Sequence, residues 1–170
     1  MKKYISMMAM ALMLSLGFTA CDVETDEEPG GTNIQNMCGN WDVMWYAVDA
    51  NGEILDEWTD GTIYTYNTAG NSTTQMWLDD KKTYWAMQFL VEIDYEARTF
   101  SATERDYDAD GSGTAVVTNG KILEGAAKNL HGMPCDSIAF EISFSDDDYP
   151  AKYGFDHYLV SGVKHSGFTE

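Results

Sequence analysis

Tyr84-Trp85-Ala86-Met87-Gln88-Phe89-Leu90-Val91-Glu92-Ile93 places Trp85, Met87, Phe89, Val91 and Ile93 on one side of an extended chain. Tyr84, Ala86, Gln88, Leu90 and Glu92 fall on the other. Ser137-Ile138-Ala139-Phe140-Glu141-Ile142-Ser143-Phe144-Ser145 repeats the pattern, with Ile138, Phe140, Ile142 and Phe144 on its apolar side. A period of two, with one apolar and one largely polar face, predicts antiparallel strands that cover a single core. Trp85, Met87, Phe89, Val91, Phe140, Ile142 and Phe144 are therefore the expected interior residues, lining a ligand cavity or filling the core.

Outward from these two stretches the chain keeps reading as strands. Residues 41–48, 61–68, 73–78, 98–105, 114–118, 121–126 and 158–164 are the weaker ones, separated by Asp49-Ala50-Asn51-Gly52, Ala69-Gly70-Asn71, Asp79-Asp80-Lys81-Lys82, Asp110-Gly111 and Asn119-Gly120. Asn119-Gly120 between a Val-rich and an Ile-Leu segment carries the signature of a two-residue hairpin turn. Residues 125–130 have room for one helical turn, and no segment after the first twenty residues shows a helical stripe. Eight or nine short antiparallel strands fit a closed meander barrel or a sandwich; the short, hairpin-like connections favour the barrel, whose closure removes exposed edges. At that size the interior is either filled by side chains or holds one small ligand.

The N-terminus has another character. Lys2 and Lys3 precede an apolar run from Tyr4 to Phe18, too short to span a bilayer but the right length for the apolar region of a secretory signal. The run ends in Phe18-Thr19-Ala20-Cys21, which resembles a bacterial lipobox and implies that Cys21 is acylated and becomes the first residue of the mature chain. Residues 21–36 open with Asp22, Glu24, Asp26, Glu27 and Glu28 followed by Pro29-Gly30-Gly31, a composition that cannot bury a core and reads as a solvated tether. The barrel is then expected from residue 37 to residue 170. An acidic run directly after the lipidated Cys also resembles a surface-export signal. The expected location is the bacterial outer membrane, anchored by lipid and facing outward, with the periplasmic face as the alternative.

Charge excludes one class of partner. With 28 Asp+Glu against 10 Lys+Arg the 170-residue chain carries −18, which leaves a nucleic-acid backbone unneutralised. No catalytic residue is assigned. The pattern G-x-S-x-G is absent, and Ser161 and Ser166 near His157 and His165 do not make a triad by spacing alone. Asp106, Asp108 and Asp110 before Gly111 match the opening of a calcium loop, although Val117 stands where such a loop needs a bidentate Glu. They read first as an acidic hairpin tip, with a calcium site as the minority alternative; no other cofactor is expected. Cys38 and Cys135 remain once Cys21 is acylated, and in an exported domain they are candidates for a disulfide closing a loop of about 100 residues. Trp41, Trp45 and Trp85 fall on inward faces, whereas Trp58, Tyr64, Tyr66 and Trp77 fall outward or at a rim, where flat rings stack on sugars.

Gly39-Asn40-Trp41, Thr65-Tyr66-Asn67-Thr68-Ala69, Met76-Trp77-Leu78-Asp79-Asp80 and Thr99-Phe100-Ser101 occur in this order along the chain. They are followed by Asn119-Gly120-Lys121-Ile122-Leu123, Asp136-Ser137-Ile138 and Tyr158-Leu159-Val160-Ser161-Gly162. Together they resemble a bacterial lipoprotein family described as lipid-binding putative hydrolases. The resemblance implies a lipocalin-like barrel; taken with the residues, it leads to the expectation of a lipid-anchored protein that binds a small apolar or amphipathic, lipid-like ligand without turning it over. Two alternatives stand beside it: an accessory glycan-binding or protein-interaction lipoprotein, and a hydrolase as the family's description suggests. Oligomeric state is not legible in the sequence.

Overall fold

In the computed structural model, residues 31–129 and 131–167 are described. The expected signal segment, Cys21 and most of the expected tether lie outside them. A single 3-10 turn (Gln35–Met37) leads into β1 (Gly39–Val48), β2 (Ile54–Asn67), β3 (Gln75–Asp79), β4 (Gln88–Asp94) and β5 (Thr99–Asp106). These are followed by β6 (Thr114–Lys128), β7 (Pro134–Phe144), the short helix α1 (Tyr149–Tyr153) and β8 (His157–Lys164). Each strand pairs antiparallel with the next, and β8 pairs with β1, so the described residues form a closed eight-stranded barrel.

Alternation along the strands decides what the barrel holds. Trp41, Trp45, Ile63, Met76, Leu78, Val91, Ile122, Phe140 and Tyr158 point inward and are essentially unexposed. At one end Ile34 and Met37, brought in by the 3-10 turn, are equally buried. That turn is tied to the wall through Thr65, whose hydroxyl accepts the Trp41 indole N–H at 2.9 Å and donates to the Met37 carbonyl at 2.7 Å. Ile34 and Met37 thereby supply the apolar surface that closes this end of the barrel.

Other boundaries move for identifiable reasons. Asn119-Gly120 is no hairpin: β6 runs straight through it, and the pairing with β7 slips between Thr118↔Glu141 and Lys121↔Ala139. Asn119 takes φ 53°, so the expected turn residues make a β-bulge and two expected strands become one. Gly120 is required there because a Cβ would overlap the Phe100 carbonyl oxygen. A second irregularity falls between Leu123 and Ala127, with Gly125 at φ 59°, where a helical turn was expected. β2 starts at Ile54 instead of Gly61; its first residues are exposed on both faces, which hides the alternation. β4 starts only at Gln88, because Trp85 belongs to the loop before it and Ala86 takes φ 62°.

Gly162 marks the tightest contact in the wall. It pairs with Val43 on one side and Ile138 on the other, and a Cβ would overlap the Asp42 carbonyl oxygen. Gly162→Ala and Gly120→Ala are each expected to lower stability by about 1–3 kcal/mol, the usual cost of overpacking. Thermal unfolding should show the melting temperature falling by roughly 3–10 °C, whereas Asn119→Gly, which suits the positive φ, should leave it within about 2 °C.

Candidate functional site

The barrel has two unlike ends. One is sealed by the 3-10 turn. At the other open the loops of residues 49–53, 80–87, 107–113 and 145–156, here called the mouth. The loop 80–87 is built around one carboxylate. Asp80 is unexposed, and it accepts backbone N–H bonds from Lys82, Tyr84, Trp85, Ala86 and Met87 at 2.7–3.1 Å. Hydrogen bonds to a charged group contribute about 1.5–3 kcal/mol each, and five of them give these residues one conformation without any strand pairing. What the loop presents is Tyr84 and Trp85. The Trp85 ring lies flat on Phe144, with centroids 4.3 Å apart and planes at 14°, and Tyr107 meets Phe144 edge-on at 5.4 Å.

Beside this pair a chain of polar tips crosses the mouth. The Trp58 indole N–H donates to the Tyr84 hydroxyl at 2.7 Å, Tyr84 donates to Tyr158 at 3.3 Å, and Tyr158 donates to Asp147 at 2.8 Å. Tyr107 donates to Asp146 at 2.8 Å. Asp146 and Asp147 thus accept the hydroxyls of core tyrosines. Their sequence signal was only an acidic run, and the partners lie 39 and 11 residues away. Burial, then the Tyr84 hydroxyl and the Asp147 carboxylate, push the Tyr158 phenol far above its ordinary range. Burial and Asp146 likewise raise Tyr107.

One polar group at the mouth has no partner. The indole N–H of Trp45 is buried and makes no hydrogen bond among the described residues. Its ring packs edge-on against Tyr84 at 4.9 Å and Tyr158 at 5.8 Å. A Cβ at Gly61 would stand 3.3 Å from that nitrogen and 3.4 Å from the Thr83 hydroxyl, so a larger residue there would crowd the indole. A buried donor without an acceptor costs about 1–3 kcal/mol.

The expected interior residues divide accordingly. Met87, Phe89, Val91, Phe140, Ile142 and Phe144 are all buried in the core, and Trp85 is the half-exposed member that covers the mouth. Two shallow hollows lie on the outer wall. One of about 840 Å³ spans Gly61 and Gly162, and one of about 770 Å³ adjoins Gly120.

The remaining candidates do not assemble into sites. Asp106, Asp108 and Asp110 do not converge, and no group of three or more acidic, His or Cys side chains among the described residues is placed to hold a metal. Asp108 is instead turned on its own loop, accepting the Ser112 N–H at 3.1 Å and the Ser112 hydroxyl at 2.8 Å, which holds its carboxyl below the usual range. Cys38 and Cys135 are free thiols. The strand order puts β8 between β7 and β1, so about two inter-strand spacings, roughly 10 Å, separate them, beyond the ~7 Å that a disulfide spans. His157 Nδ1 pairs with Asp156 at 2.9 Å and His165 Nδ1 with Asp42 at 2.8 Å. Neither imidazole bonds a serine hydroxyl among the described residues.

The described residues thus form a closed antiparallel barrel with an apolar interior and an aromatic mouth made by its loops. The sequence profile of the family described as Lipid-binding putative hydrolase matches residues 26–169, and the chain belongs to that family. No curated protein matches it.

The raised tyrosine at the mouth has a measurable consequence. A phenol that holds its proton more tightly when folded contributes stability that is complete below the unfolded value near pH 10, and that contribution is lost as pH rises above it. Tyr158→Phe should cost about 1–2 kcal/mol below pH 9 by removing the hydroxyl that donates to Asp147, which keeps only the Tyr149 N–H. In urea unfolding from pH 8 to 11.5, it should also show a shallower decline above pH 10 than the parent.

Proposed function

We propose that the protein is an acyl-anchored envelope lipoprotein that binds one amphipathic, lipid-like ligand at the barrel mouth without turning it over. The observation that carries this reading is the unpartnered Trp45 indole N–H beneath a mouth closed by loop side chains rather than by strands. A head group with an acceptor oxygen would satisfy that donor. An apolar chain would take the place of Trp85 on Phe144, leaving the Asp80 bonds of the loop intact. Magnitudes favour the exchange. The ring stack contributes about 0.5–1.5 kcal/mol beyond its buried area, and each CH₂ taken from water contributes about 0.8 kcal/mol. A few methylenes outweigh the lost stack. Family membership supports the lipid class of ligand.

The anchor belongs to the same reading. An acyl chain on Cys21 would hold the barrel at the outer membrane, facing outward on the resemblance of the acidic run 22–28. The strongly acidic chain disfavours docking of the barrel itself on anionic lipid.

Titration of the purified protein with a lysophospholipid and a fatty acid, followed by native mass spectrometry and tryptophan fluorescence, tests this directly. One ligand per chain is expected, recovered chemically unchanged. Trp85→Ala should bind severalfold more tightly because no ring is displaced, and Trp45→Phe should bind about fivefold more weakly because the donor is gone. Failure of both lipids to bind, or binding indifferent to both substitutions, would overturn a ligand site at the mouth. Recovery of a hydrolysed lipid would overturn the non-catalytic reading.

A further inference from the structure

The outer face of β2–β5 carries features that the mouth does not use. Tyr66 and Trp77 are cross-strand partners whose rings stack at 6.4 Å and 22° on the outside of the wall, both half-exposed. Beside them Asp79, only 4% exposed, accepts the Tyr66 hydroxyl at 2.9 Å and the Gln88 amide at 3.2 Å. It also takes the Lys81 N–H at 2.6 Å and pairs with the Lys81 ammonium at 2.7 Å. The Gln88 amide donates again to Tyr66 at 2.7 Å, and the Lys81 ammonium sits 5.2 Å above the Tyr66 ring. This network fixes the two rings and Gln88 before any ligand arrives.

A cleft of about 390 Å³ opens on Trp77, with Leu90 and Phe89 below it and Gln88, Arg105 and Asp106 around it. It shares Gln88, Asp108 and Ala109 with a second cleft of about 490 Å³ that continues to Lys82 and the loop 80–87. The pair forms one groove between β3–β4 and the hairpin 107–113. Along it Asp106 and the Gln88 amide oxygen offer acceptors that no described residue occupies, and Lys82 offers an unoccupied ammonium.

We infer that this groove binds a neutral saccharide, with a sugar ring stacked in the Trp77 cleft and its hydroxyls bonded to Gln88, Asp106 and Arg105. An indole beside an apolar floor suits the CH face of a sugar ring, and acceptors and donors around it suit its hydroxyl rim. Asp106, Asp108 and Asp110 repel anionic ligands, Lys81 and Arg105 are already paired with Asp79 and Glu92, and the polar lining interrupts any path for an acyl chain. A simple cross-strand aromatic pair would stabilise the sheet by about 0.2–1 kcal/mol, but it requires neither the buried Asp79 network nor the groove beyond Trp77.

Titration of the full-length chain with neutral glucan, galactan, mannan and xylan oligosaccharides, by calorimetry and tryptophan fluorescence, tests the inference. At least one is expected to bind, at least tenfold more weakly in Trp77→Ala and within about threefold of the parent in Trp77→Phe. Lysophospholipid binding at the mouth should be unaltered in both variants. Arg105→Gln and Asp106→Asn, both at exposed positions, should each weaken saccharide binding severalfold and serve if Trp77→Ala does not fold. Absence of binding across the panel, or saccharide binding unaffected by these substitutions, would overturn it.

Discussion

Closing eight strands leaves a lumen that something must fill, and here Trp41, Trp45, Phe140 and Tyr158 fill it. Buried aromatic side chains contribute about 1.5–3 kcal/mol each, so the same residues that make the barrel stable deny its axis to a ligand. The proposed binding surfaces therefore lie at the mouth, where loops rather than strands form the boundary, and on the outer wall. The 3-10 turn at the opposite end completes the constraint, since Ile34 and Met37 seal it from within.

Two successive carboxylates then organise the surfaces that remain. At the end of β3 the side chains alternate, and Asp79 and Asp80 turn to different surroundings. Asp80 gathers five backbone N–H groups and sets Tyr84 and Trp85 over the mouth. Asp79 gathers Tyr66, Lys81 and Gln88 and sets the aromatic pair on the outer face. Exposed charges contribute little, but carboxylates this well satisfied and removed from water impose geometry. One dipeptide thus shapes both candidate binding surfaces.

Much of the wall was legible in the amino-acid pattern because burial on one face writes a period of two. Ile138, Phe140, Ile142 and Phe144 lie inward as read, and so do Met87, Phe89 and Val91. The pattern misleads where local chemistry has two outcomes. Asn119-Gly120 supplies the positive φ of a hairpin and equally that of a bulge, and only pairing with both β5 and β7 decides between them. Trp85 keeps its alternation yet leaves the strand, because five hydrogen bonds to Asp80 outweigh ladder pairing. The mouth itself was hidden. Links such as Tyr107 to Asp146 and Tyr84 to Tyr158 span 39 and 74 residues, and no local signal announces them.

Hydrogen–deuterium exchange with and without lysophospholipid tests most directly whether the mouth is the binding site of a filled barrel. A ligand seated there should change exchange at the amides of residues 82–87 and 145–149 while leaving β1 and β7 in mid-barrel unaltered. Protection changes along the inward strands with none at the mouth would mean that the lumen opens to take the ligand, and would contradict a barrel whose core stays closed.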